Sequence, residues 1–374
     1  MNSQFYLLQI HFSLQDYKLP LLSFVTAFIV TLLTIPPLIN LINHYRLYDV
    51  PTARKLHVSP VPTMGGIAFV AGLGVSLLLW LPLHNEPGQV AFFFSVLALL
   101  FVGVMDDLKD LSAKYKFAIQ LSIAALIALS GIRITSFNGL FGIYSLPLFS
   151  QYFFTILAIA GITNAFNLVD GIDGLAGGLA FMSLITLALF LTLSGDTNTA
   201  LIAFALAGGV LAFLYFNFNP ARIFMGDTGS LVLGFIIAVL CIRLLQVNTV
   251  ASLPVLPNAP VFVLGIVLVP VFDTLRVFTL RTWRGSSPFK ADRTHIHHLL
   301  TNNGFNHVFA VRVICFIHAL LLIEVYLLRN IKQEYTLLLL ILFMALVSLI
   351  LKKSNYFFRL YTKNKNAASY ADEG

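Results

Sequence analysis

The chain has 374 residues, of which 58% are hydrophobic and only 10% are charged. A mean hydropathy of +0.88 excludes a soluble globular protein, because soluble chains carry far more charge. The formal net charge of +7 does not by itself indicate nucleic-acid binding, since the basic residues of a membrane protein are distributed by loop. The composition therefore predicts a protein of the lipid bilayer with no nucleic-acid partner.

Apolar segments long enough to cross about 30 Å of hydrocarbon recur along the chain, with short polar breaks between them. They predict an all-α, polytopic membrane protein of about eleven transmembrane helices. The first segment lacks a basic start and a small-residue cleavage site, so we expect it to be retained. The predicted spans are 20–42, 65–82, 90–105, 117–134, 149–166, 175–194, 200–216, 230–247, 260–280, 308–328 and 335–351.

The basic residues predict the orientation of these helices. One set of alternate loops carries sixteen Lys and Arg residues and the other set carries four, which places the first set in the cytoplasm and the N-terminus outside. We expect residues 1–351 to form one membrane domain and residues 352–374 a disordered, basic cytoplasmic tail. Cys241 and Cys315 fall within predicted spans, where they behave as small hydrophobic residues.

The first cytoplasmic loop combines basic residues with a glycine-rich helix start. Lys55 and His57 precede Gly65 and Gly66, and cations beside such a helix start suit an anion. The alternative is a proline-stiffened loop whose basic residues only set the orientation.

The loop after the third span carries three carboxylates within five residues. Asp106, Asp107 and Asp110 are close enough to repel one another, so they need a divalent cation, a cationic partner or raised pKa values. The alternative is an ordinary interfacial charge cluster formed with the neighbouring lysines, Lys109, Lys114 and Lys116.

Two further cytoplasmic loops are rich in Asn and Asp. In the loop after the fifth span, Asn164, Asn167, Asp170 and Asp173 are spaced three residues apart, with oxygen and amide groups that suit a nucleotide base or a hydrated metal ion. After the seventh span, Asp227 precedes the next helix. It either caps that helix or binds Mg2+ together with the other aspartates.

The ninth span and the loop after it carry the remaining polar residues. Asp273 and Arg276 are spaced as an i,i+3 pair, which either forms a structural salt bridge or lines the site. The loop places His295, His297 and His298 beside basic residues, which favours phosphate contact over zinc binding.

Taken in order, these loops resemble the polyprenyl-phosphate N-acetylhexosamine-1-phosphate transferase family. The resemblance covers nearly the whole chain and implies ten or eleven helices with the active site in a cytoplasmic cleft. It is carried by PTMGG at 62–66, DDLKD at 106–110, NAFNLVDGIDGLAGG at 164–178, NPARIFMGDTGS at 219–230 and DRTHIHH at 292–298.

The resemblance also implies residue roles. Asp227, with Asp173, is expected to bind Mg2+, for which Mn2+ could substitute, and the Asp106–Asp107 pair is expected to bind or deprotonate the lipid phosphate. Lys55 and His57 are expected to contact that phosphate. The remaining expected contacts, with nucleotide, diphosphate or sugar, are Lys114, Asn167, Asp170, Asp173, Asn217, Phe224, His295, His297 and His298.

Two departures bear on the substrate. The chain has HIHH where the lipid I enzyme has three consecutive histidines, and it carries Asp110 where that enzyme usually has lysine. Both favour the branch that transfers N-acetylglucosamine 1-phosphate from a UDP-sugar to undecaprenyl phosphate, releasing UMP, at the bacterial inner membrane. The alternatives are a phospho-MurNAc-pentapeptide transferase and, in another class, a cation-coupled secondary transporter. The polyprenol length, direct transfer versus an aspartyl intermediate, and homo-oligomerisation stay open.

Overall fold

A computed structural model gives the fold of the chain. It describes residues 14–45, 48–49, 61–82, 86–250, 255–285, 287, 294–302 and 304–371, with side chains up to residue 352. Lys55 and His57, which the sequence predicts at the lipid phosphate, lie outside the described residues.

Helices account for nearly all of the regular structure in the described chain. Two short antiparallel strands, β1 (Tyr48–Asp49) and β2 (Val61–Pro62), precede the second helix. The helices are α1 (Leu14–Tyr45), α2 (Gly66–Trp80), α3 (Pro87–Lys109), α4 (Ala113–Leu129), α5 (Leu148–Val169), α6 (Leu175–Leu193), α7 (Thr197–Asn217), α8 (Gly226–Val250), α9 (Ala259–Trp283), α10 (Ile296–Thr301), α11 (His307–Leu327) and α12 (Gln333–Ala371).

The all-α membrane fold predicted from the sequence is confirmed, and each of the eleven predicted spans corresponds to a helix. Nine helices in the described residues are long and apolar enough to cross a membrane, while α2 and α4 have 15 and 17 residues. Both are shorter than the roughly 20 residues that a perpendicular span requires. The long helix α12 continues to Ala371, and the division at residue 351 stays a prediction.

Helix α8 lies at the centre of the bundle. It packs against α2, α3, α5, α6, α7 and α9, and nearly every side chain in its apolar stretch is buried. Phe235 of α8, Phe166 of α5 and Phe213 of α7 are fully buried. Because Asp227 stands in the first turn of α8, its surroundings are formed by several neighbouring helices.

The polar connections predicted to share one face meet at one end of the bundle. Lys116, at the start of α4, and Asn167, near the end of α5, both donate hydrogen bonds to Asp227. The backbone N–H of Gly65, just before α2, donates to the carbonyl of Phe224 at 2.9 Å. The fold therefore gathers four separate polar segments around the start of α8.

Small residues allow this close approach. A methyl group added at Gly103 of α3 would overlap the Cα of Thr228 and lie 2.7 Å from the carbonyl oxygen of Asp227. Both are backbone atoms, which cannot move aside as a flexible side chain could. The α3–α8 contact beside Asp227 therefore depends on glycine.

Gly103→Ala is expected to lower the free energy of unfolding by about 2 kcal/mol, because α3 must separate from α8. The measurement is the thermal unfolding of the purified protein in detergent. Gly161→Ala is the matched control, since no atom lies within 4 Å of its added methyl group. Equal melting temperatures for the two variants would contradict the inferred contact.

Candidate active site

The carboxylate of Asp107 holds the first turn of α8. Its oxygens accept hydrogen bonds from the backbone N–H groups of Asp227 at 2.9 Å and Thr228 at 3.1 Å, and from the Thr228 hydroxyl. These amides have no partner within the helix, so a carboxylate from outside stabilises them. The capping role that the sequence allowed for Asp227 is therefore performed by Asp107.

Lys116 joins the other two carboxylates of this cluster. Its ammonium group donates to Oδ2 of Asp106 at 2.8 Å and to Oδ2 of Asp227 at 2.7 Å. Asp106 is only 8% exposed, and its Oδ1 accepts the backbone N–H of Leu111 at 2.7 Å. An acid from α3 and an acid from α8 thus share one lysine.

Asn167 fixes the second oxygen of Asp227. Its side-chain amide donates to Oδ1 of Asp227 and to the hydroxyl of Ser230, both at 2.9 Å. The Asp227 side chain nevertheless remains 24% exposed. The carboxylate is held in orientation and is still reachable from outside the protein.

Asp170 lies in the turn between α5 and α6 and is half-buried. Burial, followed by the negative charges of Asp227, Asp107 and Asp173, raises the pKa of the Asp170 carboxyl to about 7. It accepts no hydrogen bond from the described part of the chain. This carboxyl faces a strongly negative surrounding, which a bound cation would relieve.

Asp173 and Asn217 connect the α5–α6 turn to the α7–α8 loop. Oδ2 of Asp173 accepts hydrogen bonds from the side-chain amide of Asn219 at 3.1 Å and the N–H of Ala221 at 3.2 Å. Asn217 accepts the N–H of Gly174 and donates to the carbonyl of Ile223, each at 2.9 Å. Both residues, predicted to contact nucleotide or metal, hold the two loops together here.

Phe224 and Lys114 are placed at the edge of this cluster. Phe224 is half-buried, and its backbone N–H donates to the carbonyl of Pro62 in β2 at 2.8 Å. Lys114, two residues before the bridging lysine, is exposed. The sequence resemblance selected Lys114 as a site residue, whereas Lys116 was named only as one of the lysines of a possible interfacial charge cluster. The available signal was its place in the same loop as three carboxylates, which need a cationic partner.

The histidine segment is anchored by Asp273 of α9. Asp273 accepts a hydrogen bond from Nδ1 of His295 at 2.9 Å and another from the N–H of Ile296 at 3.1 Å. It also pairs with Arg276 at 2.7 Å, and Arg276 donates to the carbonyl of Thr294. The i,i+3 salt bridge that the sequence allowed is present, and it positions the start of α10.

His297 faces the α5–α6 turn. Nε2 lies 2.6 Å from the position of a Cβ added at Gly171. The ring is only 2% exposed, and neither of its nitrogens is hydrogen-bonded to a described residue. Burial, followed by the neighbouring charge of His298, lowers the pKa of His297 to about 3. The ring is therefore neutral at physiological pH and offers one donor and one acceptor.

The donor set suits a hard cation that shares its ligands with a substrate. No three His, Cys, Asp or Glu side chains among the described residues could enclose a metal ion. Mg2+ in phosphoryl-transfer sites commonly takes one or two carboxylates together with phosphate oxygens and water. Asp227 and Asp170 supply accessible oxygen atoms in negative surroundings, so the residues present fit such an ion.

Comparison with known proteins decides the family. Residues 89–245 match the model for glycosyl transferase family 4. The chain is also 34% identical over 348 residues, covering 91% of its length and 95% of the relative, to a probable undecaprenyl-phosphate N-acetylglucosaminyl 1-phosphate transferase of Bacillus subtilis. The chain belongs to glycosyl transferase family 4.

Other relatives agree with this placement in glycosyl transferase family 4. The undecaprenyl-phosphate alpha-N-acetylglucosaminyl 1-phosphate transferase of Escherichia coli K12 is 32% identical over 265 residues, 69% of this chain and 70% of the relative. The protein of the same name from Salmonella typhi is 34% identical over a stretch of the same length. The family match, 89–245, contains Asp106, Asp107, Lys116, Asp170 and Asp227 and ends before the histidine segment.

Proposed function

We propose that this protein transfers N-acetylglucosamine 1-phosphate from UDP-N-acetylglucosamine to undecaprenyl phosphate, with Mg2+ as cofactor. The names of the relatives support undecaprenyl phosphate as the acceptor and N-acetylglucosamine 1-phosphate as the transferred group. The observation that carries the proposal is the bridge of Asp106, Lys116 and Asp227 at the start of α8. In this bridge one lysine lies between two carboxylates. A negatively charged phosphate can replace one of these carboxylates as the partner of the lysine.

In the proposed step, an oxygen of the lipid phosphate attacks the β-phosphorus of the UDP-sugar. The new bond joins that oxygen to the β-phosphorus, and the bond from the β-phosphorus to the oxygen bridging it to the α-phosphorus breaks. The bonding electrons leave with the oxygen of UMP. Phosphoryl transfer requires little covalent chemistry from the protein, so positioning and charge stabilisation supply the catalysis. The proposed step is a direct transfer, in which no aspartyl intermediate forms.

Asp106 is the proposed acid–base group for the acceptor. A protonated lipid phosphate gives its proton to the Asp106 carboxylate. Asp107 orients α8 and does not touch the reacting atoms, because its oxygens already accept donors from Asp227 and Thr228. The two adjacent aspartates, paired in the sequence resemblance, thus receive different roles.

The proposed metal ligands are Asp227 and Asp170, with Asp173 behind them. When bound, Mg2+ neutralises the diphosphate and stabilises the leaving UMP. Asn167 keeps the Asp227 carboxylate in a fixed orientation through its hydrogen bond at 2.9 Å.

The remaining proposed contacts surround this centre. Phe224 stacks on the uracil ring and Lys114 binds the nucleotide, while Lys55 and His57 contact the lipid phosphate. His297 is neutral, and neither of its nitrogens is hydrogen-bonded within the part of the chain that the structure describes, which suits uncharged sugar groups better than phosphate. His295 and His298, beside it, are the other proposed contacts with the diphosphate or sugar. This end of the bundle faces the cytoplasm of a bacterial inner membrane, as the loop charges predict.

The proposal is tested with purified protein, Mg2+, undecaprenyl phosphate and separate UDP-sugars. UMP release is expected with UDP-N-acetylglucosamine and not without the lipid phosphate. UMP formed only from UDP-MurNAc-pentapeptide would assign the alternative substrate. Absence of UMP with every sugar, from protein that remains folded, would contradict the proposed activity.

A further inference from the structure

The ammonium group of Lys116 is the only described cation within salt-bridge distance of both Asp106 and Asp227. It lies 2.8 Å from one carboxylate and 2.7 Å from the other, and the lysine side chain is 21% exposed. These acids come from α3 and α8, so their like charges would separate the two helices if the lysine were absent. Lys116 therefore occupies the position of a counter-ion between them.

We propose that Lys116 is the resident counter-ion of the Asp106–Asp227 pair and that a divalent cation binding to Asp227 displaces it. The inference rests on the proposed function in taking Mg2+ as that cation. Lys116 then moves to the diphosphate that arrives with the metal. During the binding of the donor substrate, the metal ion thus replaces the Lys116 ammonium on the carboxylate of Asp227.

The hydrogen bonds of Asp227 make this exchange necessary. Oδ1 accepts from Asn167 and Oδ2 accepts from Lys116, so a metal ligated by Oδ2 would lie close to the ammonium. A doubly charged ion and an ammonium repel strongly at such distances in a partly buried site. Lys116 can leave its carboxylates because lysine has a long, flexible side chain. The partners of Asp107 cannot leave in this way, because they include backbone amides fixed in α8.

Displacement of Lys116 has a consequence for Asp106. Oδ1 of Asp106 remains bonded to the N–H of Leu111, and Oδ2 is engaged by Lys116 until the lysine leaves. The oxygen that would face the acceptor phosphate is therefore released when the metal and donor bind. This predicts that the donor complex binds before the lipid phosphate becomes reactive.

The test measures melting temperature against Mg2+ concentration for the full-length protein in detergent. Without a divalent cation, Lys116→Met is expected to melt several degrees below wild type, because the two carboxylates are left unneutralised. Added Mg2+ is expected to remove that deficit. The Mg2+ concentration for half of the shift should fall about tenfold relative to wild type, because no ammonium competes.

Three variants separate the counter-ion role from simple packing. Lys109→Met removes an exposed lysine at the same end of the bundle and should leave both quantities unchanged. Lys116→Arg keeps the charge and should melt near wild type. The double variant Asp106→Asn, Lys116→Met removes the repulsion and should regain most of the lost stability, even if Lys116→Met alone fails to fold.

Two results would overturn the counter-ion role. One is a Lys116→Met protein with the wild-type melting temperature and Mg2+ dependence. The other is a double variant no more stable than Lys116→Met. The proposed function is tested separately. If wild type and the variants respond to Mg2+ as expected but wild type releases no UMP, the proposed function is overturned and the counter-ion role is not.

Discussion

Asp227→Asn is expected to lower the rate of UMP release by about 10³-fold or more while the protein still folds. The substitution keeps the size of the side chain and removes the charge that we propose for metal binding. The backbone amide of Asp227 still donates to Asp107, so the start of α8 keeps its anchor. The fold should therefore survive the loss of activity.

The measurement for Asp227→Asn is kcat at saturating Mg2+, together with the melting temperature with and without Mg2+. Asp110→Asn is the matched control: Asp110 is exposed, belongs to the same segment as Asp106, and has a left-handed backbone that asparagine tolerates. We expect near-wild-type turnover from the control. An Asp227→Asn protein with wild-type turnover and an unchanged response to Mg2+ would show that Asp227 has no role in metal binding or in the reaction.

Asp106→Asn and Asp107→Asn are expected to fail in different ways, although the residues are adjacent. Asp106→Asn should lower kcat by about 10²- to 10⁴-fold, because the acceptor loses its acid–base group. Its melting temperature should change little, since Lys116 retains Asp227 as a partner. Asp107→Asn should lower the free energy of unfolding by about 2 kcal/mol, because a carboxylate that accepts three hydrogen bonds at a helix start is lost.

Comparing kcat with melting temperature for these two variants tests the division of roles. A large loss of kcat in an Asp107→Asn protein of wild-type stability would show that Asp107 takes part in the reaction itself. Wild-type kcat in Asp106→Asn would exclude it as the acid–base group.

Much of the fold could be predicted from the sequence because the bilayer imposes a simple rule on each segment. A span must be apolar and helical, so hydropathy located eleven of the twelve α-helices. Hydropathy did not show that α2 and α4 are short, since their ends depend on the glycine contacts with α8 and on the α3–α4 turn. The short helix α10, fixed by Asp273 through Ile296, lies within a polar loop and gives no hydropathy signal.

The site was predictable as a set of segments and less so as individual roles. Motifs brought Asp106, Asp170 and Asp227 to attention, and the structure places them at one end of the bundle. Lys116 was not predicted as a site residue because a basic residue near a helix start fits the orientation rule equally well. Asn217 was assigned to the nucleotide by resemblance, and its hydrogen bonds to Gly174 and Ile223 are an additional feature that depends on tertiary structure. Such contacts are invisible in one sequence.

The most direct measurement of the central claim follows the β-phosphate of the donor. UDP-N-acetylglucosamine labelled with ³²P at the β-phosphate is incubated with the protein, Mg2+ and undecaprenyl phosphate, and the products are separated into lipid and aqueous fractions. The account predicts that the label enters the lipid and that the released UMP is unlabelled. Label released as UDP would show transfer of the sugar without its phosphate, and would contradict sugar-phosphate transfer by this protein.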